Sequence, residues 1–135
     1  MPVSDARKLE IVHALYAATS VGDFDKAETF LTDDFFITEA DGLPMSGVYR
    51  GRRALRDLYA KVFGMLDVAS LDVKAHCAGG DYVVTILALD FADKRLARAE
   101  LCEVFRFCGD KVCEIKPFYF DPAPVIAAAA AKKRD

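Results

Sequence analysis

Apolar residues near the start of the chain recur with the helical period. Leu9, Ile11, Val12, Leu15, Tyr16 and Ala18 fall on one side of a helix of 3.6 residues per turn, with Ser4 or Asp5 placed to cap its start and Gly22 near its end. Asp23 caps a second helix running through Ala27, Phe30 and Leu31. The pair Asp33-Asp34 breaks that helix before the extended stretch Phe35-Phe36-Ile37-Thr38, and Glu39 follows directly. Residues 39–51 read as a loop with glycine and proline, and Gly51 leads into a third helix with Leu55, Leu58, Tyr59, Val62 and Phe63 on one side, ending near Gly64.

Beyond about Leu71 the pattern switches to strand alternation. Turn signals at Ala78-Gly79-Gly80-Asp81, Ala92-Asp93-Lys94 and Gly109-Asp110 divide it into a four-stranded meander. Residues paired across an antiparallel ladder share a face, so the turns fix the faces. Closing the middle hairpin at Asp93-Lys94 pairs Phe91 with Leu96 and Ile86 with Leu101. It collects Ile86, Ala88, Asp90, Ala97, Ala99, Leu101, Glu103, Phe105 and Phe107 on a concave face. Val83, Thr85, Leu87, Leu89, Phe91, Arg98, Glu100, Cys102 and Arg106 are left outside, and His76 takes outward parity. A three-residue loop at Gly109-Asp110-Lys111 sets Arg106 opposite Glu114 and Phe105 opposite Ile115, pairing opposite charges. Ile115, Pro117, Tyr119 and Asp121 then point inward, and Glu114, Lys116 and Phe118 outward.

The pattern therefore predicts an α+β domain, three N-terminal helices packed on a curved antiparallel sheet that encloses an apolar pocket. At 135 residues, 53% hydrophobic and 11% aromatic, one core is ample; residues 1–122 form the domain and 123–135 a tail with one or two helical turns. A formal charge of -3 with dispersed lysines and arginines offers no basic stripe for nucleic acid. The apolar run Val125–Ala131 is far short of the roughly 20 residues a membrane span requires. The charged N-terminus lacks a secretory h-region, which predicts a cytoplasmic protein.

Cys77, Cys102, Cys108 and Cys113 read as free thiols in a domain with this much core. Zinc is disfavoured, because Cys108 and Cys113 are five apart and the only histidines are His13 and His76. Neither histidine has a serine or cysteine that the sequence places beside it, so no hydrolytic triad is read. The outer sheet face, half apolar, predicts a homodimer through that face.

The stretches VGDFDKAETFLTDDFFITEADG, YRGRRALRDLYAKVF and ELCEVFRFCGDKVCEIKPFYFDP, in this order and spacing, resemble the ketosteroid isomerase and SnoaL-like proteins of the nuclear transport factor two-like superfamily. The resemblance implies a cone of helices and sheet that hosts isomerases, cyclases, dehydratases, epoxide hydrolases and proteins that only bind. It places a general base at Glu39, just after the first short strand, and a neutral carboxylic acid at Glu103, two residues before Phe-Arg-Phe. The hydrogen-bonding tyrosine of the isomerases aligns with Leu15, leaving Tyr16 one position and about 100° away around the helix. Tyr119 on the last strand is the other candidate hydroxyl.

The expected catalytic set is thus Glu39, Glu103 and Tyr119. The pocket lining is Leu15, Tyr16, Phe35, Ile86, Leu101, Phe105, Ile115 and Asp121, with no metal and no cofactor. Two readings follow. In the first, the protein is a cofactor-independent enzyme that transfers a proton on a small, mostly apolar carbonyl compound or epoxide. In the second, it is a non-catalytic module that binds a hydrophobic ligand or assembles as a dimer, its cone filled by its own aromatics.

Overall fold

A computed structural model describes residues 3–134. The chain runs α1 (Asp5–Ser20), α2 (Phe24–Glu28), β1 (Leu31–Glu39), β2 (Gly47–Arg50), α3 (Ala54–Met65), β3 (Val68–Gly79), β4 (Tyr82–Phe91), β5 (Ala99–Cys108), β6 (Lys111–Tyr119) and α4 (Ala123–Arg134). The strands form one six-stranded sheet in the order β2-β1-β6-β5-β4-β3. The expected α+β architecture is present. The sheet is not antiparallel throughout, because β1 joins β6 in parallel while every other neighbouring pair is antiparallel. No helix among the described residues is long and apolar enough to cross a membrane.

Local chemistry explains the helix ends. The Ser4 hydroxyl accepts from the Arg7 N–H at 3.1 Å, and α1 closes where Gly22 adopts φ 72°, a left-handed turn that lets the Asp23 N–H reach the Ala18 carbonyl at 2.9 Å. Lys8 lies along the buried side of α1 and its Nζ reaches the Gly80 carbonyl at 2.5 Å, tying the helix to the β3–β4 turn.

Several expectations need correction. Asp33 and Asp34 do not break the chain; they are exposed residues within β1, at an irregularity between the pairs Leu31–Val112 and Phe36–Glu114. The strand is held on either side of them, at Leu31 by Val112 of β6 and at Phe36 by Arg50 of β2 and Glu114 of β6. Part of the expected 39–51 loop is β2, and the C-terminal segment is a longer helix than one or two turns, with Val125 and Ala128 buried. Residue 135 of that segment lies outside the described residues.

The middle hairpin differs most. Val83 pairs with Phe105, Thr85 with Glu103, Leu87 with Leu101 and Leu89 with Ala99, one residue away from the expected register, and residues 92–98 form the connection. A one-residue slip inverts a strand. The inner face of β4 is therefore Val83, Thr85, Leu87, Leu89 and Phe91, all buried, while Ile86 and Asp90 point outward. The expected register would have buried Asp90. In the observed one, Arg98 donates to Asp90 at 2.9 and 3.0 Å and to Asp72 at 2.8 Å on the outer side. The β5–β6 register is as expected, with Arg106 opposite Glu114 and Phe105 opposite Ile115, although its cause is an irregularity after Arg106 rather than a three-residue loop.

The core lies between this inner face and the helices, with Phe35 and Phe105 its largest fully buried side chains.

Candidate active site

Three elements deliver the chemistry. The inward parity of β1 that buries Phe35 and Ile37 also carries Glu39, the last residue of the strand, into the interior. On β5, Leu101, Glu103 and Phe105 share the inner face, and on β6 so do Ile115, Pro117 and Tyr119. Helix α1 presents Leu15 and Tyr16 from above.

These residues enclose a cavity of two lobes that share Leu58, Tyr59 and Glu103. The inner lobe, about 30 Å³, is bounded by Leu15, Tyr16, Ile37, Phe105 and Ile115. The outer lobe, about 70 Å³, adds Glu39, Leu87, Leu101 and Tyr119 and reaches a rim at Val62, Phe63, Val68 and Leu71. Each is large enough for water, and both fall well below the roughly 300 Å³ at which ligand pockets usually begin. Phe63, 53% exposed at the end of α3, stands at the opening.

Glu39 is 4% exposed and its Oε1 has no hydrogen-bond partner. Burial, and then the charge of Glu103, push its pKa up to about 8. Glu103 is walled in by protein and touches space only through the cavity; burial raises its pKa too, opposed by a hydrogen bond donated by the Tyr16 hydroxyl to Oε1. Burial raises Tyr16 well above the usual phenol value, the charge of Glu103 and the hydrogen bond to it adding to the effect, so the phenol stays a donor. Tyr119 is raised by burial and then by the charges of Glu39 and Glu103. Two carboxyls and the phenols of Tyr16 and Tyr119 thus line one apolar enclosure, and the neutral form of each is favoured.

The expected catalytic residues Glu39, Glu103 and Tyr119 all line this cavity, together with Leu15, Tyr16, Leu101, Phe105 and Ile115. Tyr16 reaches Glu103 although its neighbour Leu15 occupies the aligned position, because both lie on the side of α1 that faces the sheet. Phe35 shares the inward parity but is wholly packed in the core, away from the cavity lining. Two lining assignments are corrected. Ile86 is exposed on the outer face because of the register of β4. Asp121 is exposed past the end of β6, where its Oδ1 accepts from the Ala123 N–H at 2.9 Å at the start of α4.

Three polar residues at the site went unread in the sequence. Tyr59, on an apolar helical stripe indistinguishable from packing, sits between the lobes, its pKa pushed up to about 12 by burial and then by Glu103. Thr85 was assigned outside, and so was His76, which pairs with Thr85 in unbroken register from the β3–β4 turn and therefore turns inward with β4. Its Nδ1 lies 2.8 Å from the Thr85 hydroxyl and its ring 5.8 Å from that of Tyr16. All four cysteines are free, and among the described residues no cluster of three or more His, Cys, Asp or Glu side chains is placed to hold a metal ion.

The family model for the SnoaL-like domain matches residues 12–115, the stretch that carries the second half of α1 with Tyr16, and Glu39 and Glu103. The chain belongs to the SnoaL-like domain family. Solved structures agree on the fold. An NTF2-like protein from Burkholderia xenovorans superposes with a TM-score of 0.76 at 18% identity, covering 93% of this chain and 98% of that one. TerC, co-crystallised with polyporic acid, has a TM-score of 0.80 at 16% identity, covering 92% and 98%. Bal32a, from a soil-derived mobile gene cassette, has a TM-score of 0.75 at 18% identity, covering 89% and 94%. Among curated proteins none matches the sequence. At these identities the likeness concerns the SnoaL-like fold and leaves the chemistry to the site.

Proposed function

We propose that this SnoaL-like protein is a cofactor-independent enzyme that transfers a proton on a small, mostly apolar carbonyl compound or epoxide, as an isomerase, cyclase or dehydratase does. The observation that carries this reading is a pair of glutamates in one apolar cavity, one with an unpartnered oxygen and the other held by a tyrosine hydroxyl. A glutamate that serves structure alone is ordinarily solvated or paired with a cation. Neither cavity glutamate has an Arg or Lys among the causes of its shifted pKa.

Glu39 takes the part of the general base. A pKa near 8 leaves a fraction ionised at neutral pH and makes that fraction strongly basic. Glu103, whose protonated form burial favours, accepts the Tyr16 hydrogen bond on one oxygen and, when protonated, has the hydroxyl of the other to donate to a substrate oxygen as charge develops there. Tyr119 on the wall beside both is a second donor. The lobe volumes favour a substrate of few heavy atoms, entering past Phe63 and Leu71. That TerC, a protein of the same fold, was co-crystallised with polyporic acid supports a cone that admits an organic ligand.

The small cavity also favours a second reading, a module that binds a hydrophobic ligand or serves assembly without turnover. Exchange of the α-protons of cyclohexanone in D₂O, followed by proton NMR, separates the two. The enzyme reading predicts exchange faster than in buffer alone and a return to the buffer rate in a folded Glu39→Ala, Glu103→Ala double variant. Equal rates in the wild type and the double variant would sink it.

A further inference from the structure

Three polar side chains form a rung across an otherwise apolar sheet face. In the antiparallel ladder Thr85 on β4 stands opposite both His76 on β3 and Glu103 on β5. Its neighbours on the inner face of β4 are Val83 and Leu87, and its own side chain is fully buried. Valine has nearly the same shape, so the hydroxyl is what distinguishes this position, and a buried hydroxyl is costly unless it is hydrogen-bonded. It has two partners. His76 Nδ1 lies 2.8 Å from Thr85 Oγ1, and the Thr85 hydroxyl lies close enough to the Tyr16 phenol to lower its pKa as a hydrogen-bond donor does. Tyr16 donates in turn to Glu103.

The polarity of this chain is consistent from end to end. Tyr16 uses its single proton on Glu103, so the hydrogen bond it receives comes from the Thr85 O–H. Thr85 then accepts from His76, which fixes the neutral imidazole with its proton on Nδ1 and leaves Nε2 as an acceptor. β3 is the edge strand of the sheet, and His76 is half-exposed there beside His13 of α1, ring centroids 6.3 Å apart. The charged or titratable groups that contact His76 are therefore His13 and Tyr16 from α1, with the Thr85 hydroxyl from β4.

We propose that His76, Thr85 and Tyr16 form a proton path between solvent at the sheet edge and the carboxyl of Glu103 at the floor of the cavity. In one passage Glu103 as carboxylate takes the proton of Tyr16, Tyr16 takes that of Thr85, Thr85 takes that of His76 Nδ1, and His76 Nε2 takes one from water. The sum is one solvent proton delivered to Glu103, with the imidazole changed from its Nδ1–H to its Nε2–H tautomer; ring rotation or the reverse passage resets it. His76 and Thr85 are positioning residues that never touch substrate. The proposal rests on the reading of Glu103 as a group that gains and loses a proton, and it requires no particular substrate.

Infrared spectroscopy after rapid mixing of the full chain into D₂O reads the exchange of the Glu103 carboxyl proton directly, the band being identified by its loss in Glu103→Gln. The pH is held near 7, where an imidazole lowered below its usual value is neutral as the path requires, and absence of a protonated-carboxyl band there would overturn the path. Thr85→Val, which keeps shape and removes the hydroxyl, is expected to slow exchange by about tenfold or more. Thr85→Ser should restore it, and His76→Gln, which cannot cycle a proton, should slow it similarly. Wild-type exchange rates in folded Thr85→Val or His76→Gln would overturn the path. Failure of the cyclohexanone test would leave this outcome unaffected, so the two readings fail separately.

Discussion

Glu39 is where the chemistry of a single side chain reaches furthest. Its carboxyl titrates near 8 in the fold and near the ordinary 4.5 otherwise, so the folded state holds the proton more tightly than the unfolded chain. A raised carboxyl pKa contributes stability that is full below about 4.5, declines as pH rises and is gone above about 8. Glu39→Gln, which cannot ionise, is expected to match the wild type at pH 4 and to be more stable at pH 9 by up to about 5 kcal/mol. Thermal or urea unfolding at the two pH values checks this, and equal stability at pH 9 would place an ionised Glu39 in water. Glu103 was legible in the sequence for a physical reason, since a carboxylate at inward parity among Leu and Phe is a conflict that ordinary packing does not produce, whereas Glu39 was placed by the family resemblance. Tyr59, on an apolar helical stripe, carries no such conflict and reads as core.

At the scale of elements, β5, β6 and α1 were read with their correct faces, because long alternation and a capped amphipathic run leave little freedom. The β4 strand was not. Every residue from Val83 to Leu89 is apolar or threonine, so alternation is nearly silent there and the faces depended on an assumed tight turn at Asp93-Lys94. That turn is a longer connection whose Asp93 engages the Arg95 N–H at 3.0 Å, and Arg98 beyond it is drawn to Asp90 and Asp72. The polar clue was Asp90, which has a cation within reach on only one face. His76, opposite Thr85 in the ladder, was misplaced with β4 and turns inward with it. Moving β4 by one residue is what brings Thr85 beneath Tyr16 and takes Ile86 out of the cavity.

At the scale of the molecule, the inverted β4 takes Val83, Leu87, Leu89 and Phe91 off the outer face and leaves Ile86 exposed there. Ile86 and Phe118, with Phe120 at 86% exposure beyond β6, border a groove of about 460 Å³ that also contacts Lys74, Glu100 and Cys102. Apolar side chains in such density on one face favour a second copy of the chain as partner. Sedimentation velocity is expected to give a dimer for the wild type and a monomer for an Ile86→Asp, Phe118→Asp variant; the same species for both would remove this face from assembly.

The cavity between sheet and helices unites the residues, the strand register and the proposed chemistry, through two carboxyls whose neutral forms burial favours. Carbon-13 NMR of protein labelled at the glutamate side-chain carboxyls, titrated from pH 3 to 10 and assigned with Glu39→Gln and Glu103→Gln, reads their protonation directly. The account predicts a midpoint near 8 for Glu39 and a raised midpoint for Glu103. Both resonances titrating in the ordinary glutamate range, near 4.5, would contradict it.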